Sequence, residues 1–489
     1  MTTSAEERVA EGVGRAPRRQ WWFVTLFLTD VWERFGFFGL QAILALYAAA
    51  ATEGGGLGLA TADAAALAGS WIGLSYMLGA PGGWVGDRVL GVRRTMLLGA
   101  AVTTTGYLLM ALSKPSISVV GLMVVAVGIG LYKPNHQTMV NLLYTDPQKR
   151  ESGISMMYAG VQISALVAPF VVGSVGEIVS WRAGFLTAGA VMALSVVQVA
   201  TATRQFNGVG EIPSRPLDAV GRAKTRKWTT IGVSALVVLT VLGALSGGLV
   251  MGFVMFFGLT SIVFPLVQYR MLIRHPELDD GDRRRLRTFR WVLLVWSMFF
   301  MIIAQGGSVL LLFAKEHTDR QVFGLTIPTS WFQSISPLFL CLLAPVFAWV
   351  LPKLGRGFAA VPVKFSTALL LGGTSFLLMS IPAAISASGA KVSPLWLFLV
   401  FFMHSCGEVI IIAVAVAAAS DVLPKRFIGQ TLGLLWLFAA LGGGLGSQIV
   451  WIAQALPATV YYLSYGLLAT GVGLLVTLRR KKIAHGLAT

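Results

Sequence analysis

Charged side chains are scarce in this chain. Asp, Glu, Lys and Arg make up 12% of its 489 residues, roughly half the share of a soluble protein. That scarcity excludes an ordinary water-facing surface, and 56% hydrophobic residues call for lipid over much of the outside. Acids are scarcer than bases, 21 against 38, for a formal net charge of +17. So basic a chain invites a nucleic-acid reading, but the bases sit mainly in alternate short loops between apolar runs. Membrane topology imposes that alternation, so no nucleic-acid partner is expected. Two cysteines occur, Cys341 and Cys406, far apart and both in apolar runs, which implies neither a disulfide framework nor a metal site. Histidine is rare too. His404 and Glu408 stand four apart on one helical face, but no HExxH set accompanies them, and His136, His275, His317 and His485 lie elsewhere. No metal and no cofactor are expected. There is no GxxxxGK[ST] phosphate loop, no visible nucleophile–base set that would make the chain an enzyme, and no short N-terminal h-region with a cleavage site.

What the sequence does have is apolar runs. About 20 such residues cross a bilayer as a helix. Runs fall near 22–50, 66–86, 94–113, 117–143, 152–175, 181–203, 228–246, 249–270, 290–315, 327–352, 362–384, 394–420, 427–454 and 458–479. The chain therefore reads as an all-α polytopic membrane protein with about fourteen spans. Arg15, Arg18 and Arg19, then Arg88, Arg93 and Arg94, then Lys149 and Arg150, the basic loop 204–227, "DDGDRRRLRTFR", Lys425 and Arg426, and the terminal "RRKK" mark one side. Intervening loops such as "ATEGGGLGLATAD" are poor in bases, which puts both termini in the cytoplasm of a cell-membrane protein. The spans group as six, two and six: a tail over 1–21, a bundle over 22–203, a linker with an inserted pair over 204–289, a second bundle over 290–479 and a tail over 480–489. Two six-helix halves suit a transporter. The inserted pair carries no ionisable side chain until its end and is given no transport chemistry.

A charge at mid-bilayer costs about 2.5–3.5 kcal/mol on insertion scales, so a buried charge normally faces a polar cavity and a partner. "DVWERFGFFGLQ" places Asp30, Glu33, Arg34, Phe37 and Gln41 along one broad helical stripe. Two acids against one base leave a surplus negative charge, and Lys133 in the fourth span is the obvious cation to balance it. Glu408 is the one acid in its span. A static salt-bridge cluster is the competing explanation for the first group, and helix packing for Glu408.

These stretches resemble a known family. "DVWERFGFFG" is similar to the ExxERFxYYG signature of proton-dependent oligopeptide transporters, a branch of the major facilitator superfamily. "GGWVGDRVLGVRR" resembles that family's loop between its second and third helices, and "GIGLYKPNHQT" its GxGxxKPN motif. "FGLTIPTSWFQSISPLFLCLLAPVFAW" resembles its eighth helix, and "HSCGEVI" its tenth-helix segment with a buried Glu. The matches run in order from about 22 to 454. The resemblance implies that Asp30, Glu33 and Arg34 form a proton-linked cluster with Lys133. Protonating the acid would weaken its pairing and let the two halves rock. It implies further that Glu408 receives a peptide amino group and that Tyr76 contacts peptide backbone. Asp87, Arg88, Arg93 and Arg94 would act as a cytoplasmic latch on helix ends; ordinary topology explains the arginines equally well.

The chain departs from the family pattern at several pocket positions. Asp30 stands where Glu is usual, Phe37 and Phe38 where Tyr-Tyr is usual, and Gln41 where an Arg reads the peptide carboxylate. The seventh-helix acid that pairs with that Arg is missing, since no acid precedes Glu316 in "RWVLLVWSMFFMIIAQGGSVLLLFAKEH". Gln162 and Ser336 replace asparagines, and Trp331 in "SWFQS" is either a pocket wall or packing. An amide cannot copy a guanidinium's bidentate grip on a carboxylate, so Gln41 points away from ordinary free-acid dipeptides unless Arg34 alone holds the carboxylate. The expected function is proton symport of di- or tripeptides or peptide-like compounds, by a monomer in the lipid bilayer. The alternatives are a same-fold carrier or exporter of another metabolite, and a non-transporting sensor, against which the presence of Glu33, Lys133 and Glu408 argues.

Overall fold

The computed structural model describes residues 21–112, 114–144, 146–219, 221–223, 225–227, 230, 234, 248–322, 324–350, 353, 360–452 and 455–488. Nearly all of the first inserted span, 228–246, lies outside these residues, as do Arg15, Arg18, Arg19, Lys224 and Arg356.

Six helices pack on one another in the first part of the chain: α1 (Trp21–Ala49), α2 (Thr61–Met77), α3 (Val92–Met110), α4 (Pro115–Leu143), α5 (Pro147–Ala168) and α6 (Trp181–Thr201). At 29 residues, α1 is about 43 Å long, more than the roughly 30 Å hydrocarbon core, and the run ends just before the glycine-rich "ATEGGG". Past Met77, α2 continues as Gly79–Val85 and a π turn at Gly86–Leu90; α5 continues through π turns to Val179. The inserted helix α7 (Leu249–Ile273) follows.

The second group comprises α8 (Asp280–Gly306), α9 (Val309–His317), a short hairpin of β1 (Gln321–Val322) and β2 (Leu325–Thr326), then α10 (Ile335–Val350), α11 (Val361–Ser386), α12 (Leu395–Asp421), α13 (Ile428–Ile452), α14 (Ala458–Leu478) and α15 (Arg480–Ala488). Helices α8 and α9 form one span interrupted at Gly307 and Ser308, where Ser308 Oγ turns back to the Ala304 carbonyl at 2.9 Å. A 3-10 turn, Thr329–Ser334, leads into α10. Among the described residues, ten helical segments are long and apolar enough to cross a membrane by length and composition. The charged α1, the interrupted α2 and the shorter α3 complete the first group. Large apolar side chains such as Ile163, Leu342, Trp349 and Leu467 are exposed on the outside, as a lipid-facing surface requires.

Two features of this packing position the site. Glycine lets α4 approach α2 closely, because a Cβ on Gly82 would fall 1.9 Å from the Gly130 carbonyl oxygen. That crossing lies one turn before Lys133 and fixes the height at which its side chain leaves α4. On the other side, α7 packs against α13, with Gln448 Nε2 donating to the Val254 carbonyl at 3.0 Å. The last residues, expected as a tail, instead form α15, which buries Ile483 and Leu487 and packs against α8 and α11.

Candidate functional site

The three charged residues of α1 are buried, and they do not share one partner. Arg34 grips Glu33 with two bonds, Nε to Oε2 and Nη2 to Oε1, both 2.6 Å. This bidentate fork is the geometry in which a guanidinium and a carboxylate bind best. The Arg34 guanidinium also lies 4.6 Å over the Phe37 ring, which stacks on Trp71 at 5.2 Å. Phe37 is therefore a buried support behind Arg34; Phe38, at its edge, remains half-buried. Lys133 reaches across from α4, and its Nζ donates to Asp30 Oδ1 at 2.5 Å. The surplus acid of the α1 stripe thus finds its cation, but that acid is Asp30 and not Glu33. Two acids and two bases balance. The Lys133 side chain is 24% exposed while that of Glu33 is fully covered, so the Lys133–Asp30 bond is the one that borders open space.

Tyr76 connects this cluster to the other half. On α2, it lies within electrostatic reach of both Arg34 and Glu408. Its ring stacks on Trp436 of α13 at 5.9 Å and meets the Phe300 edge of α8 at 6.1 Å. Glu408 is half-buried on α12 and makes no ion pair among the described residues. Around it, Gln162 Nε2 donates to the Tyr158 hydroxyl at 2.8 Å, Tyr158 is exposed within reach of Glu408, and the Ser336 and Ser405 hydroxyls lie 3.0 Å apart. Glu408 and the paired cluster thus both lie within electrostatic reach of Tyr76. Tyr158, Phe300 and Trp436 were not legible as neighbours of Glu408 and Tyr76. Only for Tyr158 was there a signal, its place one turn before Gln162.

At one end the halves are closed together. Glu177, beyond α5, accepts the backbone N–H of Thr329 at 2.9 Å and of Ser330 at 2.7 Å, at the start of the 3-10 turn. Trp331 Nε1 donates to Ser174 Oγ at 2.8 Å, and Ser334 Oγ donates to the Leu166 carbonyl at 2.7 Å. Trp331 is thus part of this closure. Gln41 lies at the same level, against Gly307 in the break of α8–α9 and near the Gln333 amide, which donates to the Gly306 carbonyl. Amides and backbone meet here where an ion pair was expected to be missing. Replacing Glu177 by alanine strips both N–H groups of their acceptor, a loss of about 1–3 kcal/mol. A cysteine placed at Ser174 should then react faster with a membrane-impermeant maleimide than it does with Glu177 intact.

At the opposite end, no ion pair or hydrogen bond joins the latch residues to the second group among the described residues. Arg93 pairs with Glu211 at 2.9 Å, and its backbone N–H donates to the Gly210 carbonyl at 2.8 Å. The Asp87 and Arg88 carbonyls accept from Arg215 and Leu217. Gly91 has φ +85°, and a Cβ there would sit 2.4 Å from the Glu211 oxygen, so only glycine lets the linker lie this close. The motif clamps the linker onto its own bundle. Arg94 makes no bond with the second group among the described residues.

Comparison with known proteins agrees with this architecture. The POT family profile matches residues 93–464. An uncharacterized transporter, YclF, of Bacillus subtilis (strain 168) is 32% identical over 92% of this chain and 91% of its own. A di-/tripeptide transporter of Lactococcus lactis subsp. cremoris is 31% identical over 94% of this chain and 95% of its own. The crystal structure of peptide transporter POT in complex with sulfate superposes with a TM-score of 0.90 at 30% identity, covering 99% of both chains. The order of its motifs, its helical architecture and these relatives agree: the chain belongs to the POT family, multi-pass membrane transporters of the major facilitator fold and not enzymes.

Proposed function

We propose that the chain is a proton-coupled symporter of di- or tripeptides, or of peptide-like compounds, working by alternating access in the cell membrane as a monomer with both termini cytoplasmic. The observation that carries this reading is the 2.5 Å bond between Lys133 and Asp30, beside the Glu33–Arg34 fork and with Glu408, which has no ion pair among the described residues, on the other half. A carboxylate whose cation can leave gains proton affinity when it does, so exchanging that partner ties proton uptake to substrate movement. Glu408 offers a carboxylate for a peptide ammonium, and Tyr76, Tyr158, Gln162 and Ser336 supply neutral donors and acceptors for peptide backbone. Arg34 and Lys133 are the cations of the cluster, and Lys133, with the more exposed side chain, is the one that can leave its partner to meet a substrate carboxylate. The closure built on Glu177 and Trp331 is the outer gate in this reading, and the linker clamp at Arg93 lies on the cytoplasmic side.

Gln41 deepens the assignment. With an amide at the position and no acid opposite it on α8, the outer part of the pocket carries no charge that selects a free C-terminus. Capped or modified peptides are favoured. Purified protein in liposomes under an inward proton gradient should accumulate dialaninamide at least as well as dialanine. Strong preference for the free acid would contradict the role given to Gln41, and uptake indifferent to the gradient would contradict symport itself.

A further inference from the structure

His136 has no part in the mechanism so far, yet it lies inside the charged cluster. It is 1% exposed, one turn beyond Lys133 on α4, with its ring stacked on Tyr132 at 5.5 Å. Its Nε2 is 2.8 Å from the Leu26 carbonyl oxygen. A carbonyl oxygen only accepts, so Nε2 carries a hydrogen. In a neutral ring the other nitrogen, Nδ1, then holds a lone pair. That Nδ1 is buried with no hydrogen-bond partner among the described residues, and it points at the same oxygen that Lys133 holds, 3.8 Å from Asp30 Oδ1. A buried lone pair facing a carboxylate is poorly matched until a proton arrives between them. The charged and titratable groups facing the ring are Asp30 and Glu33 on α1, with Arg34 bound to the far side of Glu33, and Lys133 and Tyr132 on α4. With the ring neutral, Asp30, Glu33, Arg34 and Lys133 sum to zero. Removing Lys133 leaves one uncompensated negative charge at Asp30, the oxygen nearest Nδ1.

We propose that His136 carries the coupling proton: its Nδ1 takes up a proton as Lys133 leaves Asp30, and the imidazolium replaces the ammonium as the cation at that carboxylate. One proton enters from water on to the Nδ1 lone pair, and it departs when Lys133 returns, so the cluster stays neutral throughout. This inference rests on the symport reading and assigns the proton within it.

His136→Gln tests it, because the glutamine amide can still donate to Leu26 but cannot take up a proton. In liposomes the variant should exchange labelled for unlabelled dialanine or dialaninamide within about twofold of the native rate, while proton-driven accumulation falls at least tenfold and uptake loses its dependence on outside pH. A merely structural histidine would lower both activities together or neither. Accumulation equal to native, with an unchanged pH profile, overturns the proposal. A native chain that ignores the gradient overturns the symport reading and this inference with it, whereas a responsive native chain matched by His136→Gln overturns this inference alone. Should the variant lose exchange as well, nitrogen NMR of the imidazoles in the native chain decides, with His404→Gln identifying the other buried ring. Adding substrate should convert the His136 Nδ1 signal from the lone-pair to the N–H type, and a signal that does not change rejects the proposal.

Discussion

Lys133→Ala should abolish proton-driven accumulation, lowering it by about 100-fold or more. The lysine neutralises an aspartate that is 4% exposed. Removing one partner of a buried pair costs about 3–5 kcal/mol, and each 1.4 kcal/mol is a factor of ten. Asp30 has two ways to respond. It can hold a proton permanently, or the helices can rearrange to bring water to it. Either way no proton is bound and released in each cycle, so the gradient has nothing to act on. Exchange of labelled for unlabelled substrate, which needs no net proton movement, should survive far better than accumulation. The double change Asp30→Asn with Lys133→Ala removes the orphaned charge as well. It should recover stability, read as thermal midpoint in detergent, without recovering accumulation. That split separates a coupling role from a bracing role, because a brace would recover both.

The second large effect is expected at Glu408. Its carboxylate stands alone in its span, and a charge-assisted bond to a peptide ammonium contributes about 1.5–3 kcal/mol. Glu408→Gln should raise the concentration of free-amino dialanine needed for half-maximal uptake by about 10- to 100-fold. N-acetyl-dialanine has no ammonium to lose and should be transported by variant and native chains alike. Equal penalties for the two substrates would place the acid elsewhere in the cycle.

How far these residues could be read from sequence depended on the kind of signal they leave. A charge inside an apolar run is conspicuous, which is why Asp30, Glu33, Arg34, Lys133 and Glu408 stand out in the sequence. Which acid pairs with which base was not legible. Helical periodicity sets Glu33 and Arg34 about 100° apart, yet the long arginine side chain folds back to grip its neighbour, leaving Asp30 for Lys133. The latch arginines gave a signal of another kind. Their charges mark a membrane side, but Arg93 spends its charge on Glu211 in the linker, a partner that no span pattern could supply. Tertiary neighbours with no charge left no trace at all. Trp436 and Phe300 face Tyr76 only because α13 and α8 come against α2, and Glu177 closes one end only because the turn at Thr329–Ser334 offers it two free N–H groups. His136 was visible as a residue and invisible as a neighbour of Asp30, since its position one turn beyond Lys133 says nothing about the height at which α4 crosses α1.

The end closed by Glu177 and Trp331 is held without an ion pair among the described residues. Hydrogen bonds from backbone N–H groups to Glu177 and an indole bond to Ser174 hold the closed end without a buried cation. Such a closure avoids the desolvation of a second charge, which can exceed the Coulombic gain of pairing it. In the proposed symport, coupling is then concentrated in the α1–α4 cluster, where the charges are.

The most direct test of that claim is the pH inside the liposome while substrate enters. With a pH-sensitive dye trapped in the lumen and no imposed gradient, adding dialaninamide or dialanine outside should acidify the interior of liposomes bearing the native chain. The signal should disappear with Lys133→Ala, which still exchanges substrate. Labelled substrate entering the native liposomes with no accompanying acidification would contradict the account, however well the side chains pair.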